Sequence, residues 1–78
     1  MRNEILEKIM ERGAYLWGRS KESLNGDTTF TEVKAKSAHI SQITTFLEDL
    51  YDVEIPYMGF TRCKTLGEAA AFVEQLLD

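Results

Sequence analysis

The sequence predicts an all-α domain of three long helices and one short one, with a long ordered loop between the first two. Three observations carry that expectation. Apolar residues recur at spacings of three and four in three separate segments, the mark of helices with one buried face. Only one proline interrupts 78 residues. Hydrophobic residues at 44% beside charged residues at 28% fit a compact globular chain rather than a disordered one. At this length the burial of apolar surface only just offsets chain entropy, so residues 1–78 form a single domain with few core positions to spare.

In the first segment Ile5, Leu6, Ile9, Met10, Ala14, Leu16 and Trp17 form the apolar stripe, and Glu4, Glu7, Lys8, Glu11 and Arg12 occupy the remaining arc. Asn3 stands where a cap would start this helix. The connection that follows, "GRSKESLNGDTTFTEVKAK", is nineteen residues long and needs anchors to stay ordered. Leu24, Phe30 and Val33 are the apolar residues able to pin it, and Asn25-Gly26-Asp27 reads as a turn. The second helix presents Ile40, Ile43, Phe46, Leu47, Leu50 and Tyr51 as one stripe. In "VEIPYMGFTRCK", Val53, Ile55, Met58 and Phe60 alternate, and Pro56 opens a short helix at its first turn. The last helix, "TLGEAAAFVEQLL", puts Leu66, Ala69, Ala70, Val73, Leu76 and Leu77 on one face, with Thr65 and Glu68 spaced as a capping box. Gly59 and Gly67 relieve crowding or end turns, and Tyr15, Trp17 and Phe72 pack in the core or at its rim.

Several function classes are disfavoured by composition. No apolar run approaches the roughly 20 residues that span a bilayer, and acids run through the amino-terminal "MRNEILEKIMERG", so no membrane insertion is expected and the cytoplasm is the expected compartment. One cysteine and one histidine do not make a four-ligand zinc site, and no metal is expected. A net charge of −4, with nine basic residues scattered among thirteen acids, argues against nucleic acid as a partner. Ser37 and His39 are two residues apart on one helix and point to different sides, which disfavours a hydrolase triad. Cys63 lies between Arg62 and Lys64, whose charges would lower a thiol pKa, yet no general base is near in sequence; it reads as a half-buried packing residue. The chain is not expected to be an enzyme.

Ser37 is the residue with chemistry to offer. It precedes the stripe of the second helix, where its hydroxyl would serve as an N-cap contributing about 1 kcal/mol. The same position faces free N–H groups and the positive end of the helix dipole, a setting that favours an anion, and Lys34 and Lys36 add attraction.

The surroundings of that serine resemble the acyl and peptidyl carrier protein family. "DTTFTEVKAKS", Asp27 to Ser37, is similar to the family approach D-x-x-(L/F)-x-(E/D)-(L/V)-G-x-(D/x)-S, with Asp27, Phe30, Val33 and Ser37 in place. "LEDLYDVEIP", Leu47 to Pro56, is similar to the run that closes the family's second helix, and Pro56 follows Ser37 by nineteen positions. "KTLGEAAAFVEQLL", Lys64 to Leu77, is similar to the family's last helix. The resemblance implies a small four-helix acyl-carrier-like bundle whose Ser37, with Lys36 beside it, carries covalent 4'-phosphopantetheine from coenzyme A. It implies acyl intermediates held as thioesters for fatty-acid, polyketide or related biosynthesis, with Ile40, Ile43, Phe46, Leu47, Ala69, Ala70 and Val73 as walls of an acyl pocket. The implied partners are a phosphopantetheinyl transferase and acyl-transfer, ketosynthase or adenylating enzymes. Their basic docking surfaces would meet Ala38, Gln42, Glu48, Asp49 and Asp52 of a monomeric carrier.

Two departures stand beside these matches. The usual Asp-Ser-Leu is Lys36-Ser37-Ala38 here, and the early second helix offers His39, Ser41, Gln42, Thr44 and Thr45 where the family is commonly acidic. Lys36 therefore supports a second reading, a helical interaction module with the carrier-like fold that is never pantetheinylated.

Overall fold

The structure, a computed structural model, describes residues 1–77. Helix α1 spans Arg2–Trp17, α2 Ser37–Tyr51, α3 Tyr57–Thr61 and α4 Leu66–Leu76, with one 3-10 turn at Lys21–Ser23 inside the first loop. Three long helices and a short one are the expected set. The 3-10 turn is an addition, held to α1 by Lys21, which pairs with Glu7 and, at 3.7 Å, with Glu11.

Helix α1 packs most extensively on α4 and next on α2, while α3 lies against both α2 and α4. The shared core is built from Ile5 and Ile9 of α1, Ile43 and Leu47 of α2, Phe60 of α3, and Leu66 and Val73 of α4, all fully buried. Burying side chains of this size contributes roughly 1.5–3 kcal/mol each, so stripe residues rather than helix propensity hold the bundle together. Three expected packing residues lie outside it. Leu50 is 47% exposed, Met58 65% and Tyr15 78%. Leu50 sits in the last turn of α2, and Met58 is on the outer side of a helix only five residues long.

The helix ends differ from expectation in an instructive way. Asn3 is not a cap: α1 begins at Arg2 with Met1 in the cap position, and no side chain from the same helix closes it. Instead Glu74, far along the chain on α4, accepts the Arg2 N–H at 3.1 Å and pairs with its guanidinium at 3.2 Å. At α4 the expected box is present in altered form. Thr65 Oγ1 accepts the Glu68 N–H at 3.0 Å, and the Glu68 carboxylate accepts the Lys64 N–H at 2.8 Å, one residue upstream of Thr65.

The first loop is anchored where the sequence indicates. Leu24 and Val33 are buried, and Phe30 is half-buried with its ring 6.4 Å from Trp17 edge-on and 5.9 Å from Phe60. The Asn25 turn forms: its side-chain oxygen accepts the Asp27 N–H at 2.7 Å and its carbonyl accepts the Thr28 N–H at 3.1 Å. From there the loop crosses the start of α4. Gly26 O accepts the Gly67 N–H and Thr28 O the Leu66 N–H, both at 2.9 Å, and the Phe30 N–H donates to Lys64 O at 3.1 Å.

The crossing depends on glycine. A Cβ on Gly67 would lie 2.8 Å from Gly26 O, a backbone atom that cannot step aside. Gly59 is crowded likewise, by the Phe72 ring at 2.6 Å. Gly67→Ala should therefore destabilise the fold by about 1–3 kcal/mol, the range of a forced overpacking, read as a lowered thermal midpoint. An unchanged midpoint would show that the loop does not lie on α4.

Candidate functional site

Ser37 lies at the start of α2, but it is the first helical residue rather than the cap. Lys36 holds the cap position in extended conformation, and no side chain accepts a hydrogen bond from the first turn. A lysine ammonium has no lone pair to offer. The one side-chain contact there runs the other way: His39 Nδ1 accepts the Lys36 N–H at 3.2 Å. Ile40 donates to Lys36 O at 3.0 Å and so starts the helical ladder. The expected Ser37 cap is thus replaced by an open helix end, with an exposed serine on its first turn.

The approach to that serine is tightly turned. Val33 N–H reaches Thr29 O at 3.4 Å, Lys34 N–H reaches Thr31 O at 3.0 Å and Ala35 N–H reaches Phe30 O at 3.0 Å. Lys34 leaves this turn with φ at +57°. The family approach has glycine at this position, and the left-handed backbone is the reason: a side chain there costs about 1–2 kcal/mol. The sequence carried the signal, a lysine where the pattern has glycine.

Beside Ser37 opens a cleft of about 340 Å³ lined by Phe30, Ala35, Lys36, Ile40, Tyr57 and Thr61. Only Ile40 of the expected acyl-pocket residues lines it. Ile43, Leu47, Ala69, Ala70 and Val73 lie behind, each fully buried in the closed core. Phe46 is half-buried and packs at the edge of that core. It faces α1, where the Arg12 guanidinium lies 4.7 Å from its ring centroid, and it borders a separate groove with Gln42 and Asp49.

The expected docking residues divide the same way. Ala38, Gln42, Asp49 and Asp52 are exposed and follow one another at spacings of four, seven and three, along one side of α2. Glu48 is half-buried and turned inward, its carboxylate accepting the Ile55 N–H at 2.8 Å. Asp52 ends α2 in left-handed conformation, φ +52°, with its N–H on Glu48 O. These acids hold the α2–α3 turn at the far end of the helix from Ser37.

Cys63 is half-buried, as expected, with its thiol 3.7 Å from Gly59 O. Its basic sequence neighbours do not lower its pKa; burial, with the Glu68 carboxylate nearby, pushes the thiol up. Among the described residues no group of three or more His, Cys, Asp or Glu could hold a metal ion, and no helix is long and apolar enough to cross a membrane.

An all-α bundle that lifts an exposed serine onto an open helix end is the geometry of a carrier domain, and the comparisons agree. The chain is 30% identical to an acyl carrier protein of Streptococcus thermophilus (strain CNRZ 1066), over 91% of its own length and 93% of that protein's. It is 28% identical to an acyl carrier protein of Streptococcus pyogenes serotype M3 and 27% identical to one of Streptococcus pneumoniae serotype 4, with the same coverage. No family model matches the chain. On the first of these relatives, the chain belongs to the acyl carrier protein family.

Two outcomes follow from this geometry. Lys34→Gly should stabilise the protein by about 0.5–1 kcal/mol in urea denaturation, since glycine removes the left-handed penalty at some cost in chain entropy; a loss of stability would contradict the assigned backbone. Alkylation of Cys63 should show a pH midpoint above the ordinary thiol value of about 8.5, and Glu68→Gln should move it down. A midpoint below that of free cysteine would mean that Arg62 and Lys64 dominate the site.

Proposed function

We propose that this protein carries acyl intermediates as thioesters on a 4'-phosphopantetheine arm attached through Ser37 Oγ. The observation that carries the proposal is the exposed serine on the first turn of an uncapped helix, in a chain that belongs to a family of carriers. The donor set suits a phosphodiester: free first-turn N–H groups, the positive end of the α2 dipole, and the Lys36 ammonium. When bound, the arm supplies a thiol that forms the thioester. The chain's own part is to display the hydroxyl, stabilise negative charge next to it, and shelter cargo.

Shelter begins in the cleft beside Ser37. Phe30, Ile40 and Tyr57 offer apolar walls at its mouth. A longer chain would pass Ile40 and enter the core cluster that holds Ile43, Leu47, Ala69, Ala70 and Val73, the two alanines leaving the least to displace. Phe46 packs at the edge of the same core and borders this route. Partners are a phosphopantetheinyl transferase and acyl-transfer, ketosynthase or adenylating enzymes of fatty-acid, polyketide or related biosynthesis in the cytoplasm. Basic patches on them would meet Asp49 and Asp52 at the far end of α2, steering encounter more than adding affinity. The protein itself, a monomer in this reading, performs no chemistry on its cargo.

Lys36 favours the competing reading of an interaction module that is never armed, because a cation replaces the usual acid beside the serine. Incubation with coenzyme A and several broad-specificity phosphopantetheinyl transferases, followed by intact mass measurement, separates the two. Wild type should gain the mass of one 4'-phosphopantetheine and Ser37→Ala none, while Lys36→Asp should load faster with transferases that prefer the family's acidic motif. Wild type that stays at its unmodified mass with every transferase would leave the interaction module standing.

A further inference from the structure

The surface around Ser37 carries the opposite sign to the molecule as a whole. Residues 33–47 and 55–67 meet at the Ser37 cleft and its neighbour, and between them they hold four Lys or Arg, one His and no Asp or Glu, in a chain of net charge −4. Lys36 lines the cleft beside Ser37, while Arg62 and Lys64 line the adjoining one, which shares Phe30 and Thr61 with the first. Lys34, Lys36, Arg62 and Lys64 are all exposed. Among the described residues the ion pairs use Arg2 and Lys21 only, so none of the four is neutralised by a carboxylate.

Two exposed carboxylates border this face and keep their charge, so four cations stand against two anions there. Glu32 accepts the Thr29 N–H at 3.0 Å, and Glu68 accepts the Lys64 N–H at 2.8 Å. Further exposed acids lie at the other end of α2, with Asp52 about 22 Å from Ser37 at 1.5 Å of rise per residue. Charges are screened over about 8 Å at physiological ionic strength. A partner closing over the serine therefore meets the cationic zone and not the net charge.

We infer that the partner seated on this face presents an acidic rim, rich in Asp or Glu, that meets Lys34, Lys36, Arg62 and Lys64 and takes the exposed Met58 into an apolar recess. Met58 is 65% exposed on α3, between Tyr57 and Thr61, which both line the Ser37 cleft. Opposite signs at the two ends of α2 make the contact polar along the helix, which fixes the direction in which a partner can lie. The inference rests on the carrier reading, because the need to reach a group on Ser37 is what brings a partner here.

The test uses the full isotope-labelled chain, before and after incubation with coenzyme A and a transferase, titrated with an oligo-glutamate peptide while backbone amides are followed by NMR. Oligo-lysine and a single-stranded oligonucleotide are run in parallel. Oligo-glutamate should shift the amides of Lys34, Lys36, Ser37, Arg62 and Lys64, and oligo-lysine those of Asp49 and Asp52. The double change Lys36→Glu with Arg62→Glu should weaken the oligo-glutamate response at least about threefold, as expected for exposed pairs, with the helical circular dichroism unchanged. About 1 M salt, where screening acts over roughly 3 Å, should erase it. If that variant unfolds, Lys34→Glu with Lys64→Glu gives the same reading. No oligo-glutamate response, shifts centred on Arg2, Lys8, Arg12 and Lys21, or tighter binding of the oligonucleotide would each overturn the inference. Loading of Ser37 is read by mass on the same samples, so an unarmed serine with a localised peptide response removes the carrier reading alone. An armed serine without that response removes the acidic partner alone.

Discussion

Gly67 lets two stretches of backbone come within hydrogen-bond reach, its N–H donating to Gly26 O, and the position of the first loop follows from that contact. With Gly26 O and Thr28 O on the first N–H groups of α4, and Phe30 N–H on Lys64 O, the loop closes the amino end of one helix with main-chain carbonyls. Phe30 is then carried to the floor of both clefts, wedged between Trp17 and Phe60. The loop has no choice but to deliver Ser37 next to that ring. A nineteen-residue connection would otherwise add only disorder to so small a domain.

The two helix starts that the loop connects are treated oppositely. At α4 the loop carbonyls, Thr65 Oγ1 and the Glu68 carboxylate satisfy the orphan donors almost completely. At α2 a lysine occupies the cap position and the first turn is left open. In a chain with little stability to spare, leaving donors unpaired is a concession. It gives the end of α2 what a stable cap would remove, donors and dipole directed at solvent beside an exposed hydroxyl.

Charge is sorted along the same axis. Acids that look idle in sequence are in use: Glu48 holds Ile55, Glu74 closes α1, and Glu68 braces Lys64 and adds to the burial that raises the Cys63 pKa. What remains around Ser37 is cationic. A domain can therefore be net acidic and still carry a surplus of positive charge around one exposed serine.

Much of this was determined by the sequence alone. Helical periodicity placed the three long helices and most of the core, because the core-facing stripe is a local property of spacing, and Pro56 marked the short one. The Asn25 turn, the Thr65 cap and the crowded glycines were legible for the same reason: each is set by a few neighbouring residues. The start of α2 at Ser37 was legible through pattern, although the cap position falls to Lys36 and not to the serine. Tertiary structure decided everything that depends on residues far apart in the chain. It gave the α1 cap to Glu74 rather than Asn3, and set the Phe46 ring against the Arg12 guanidinium. It withdrew Glu48 from the surface, and juxtaposed Lys36 with Arg62 and Lys64 across adjoining clefts. Spacing says which side chains share a face, but only the packing of one face on another says which charges and donors are left for solvent.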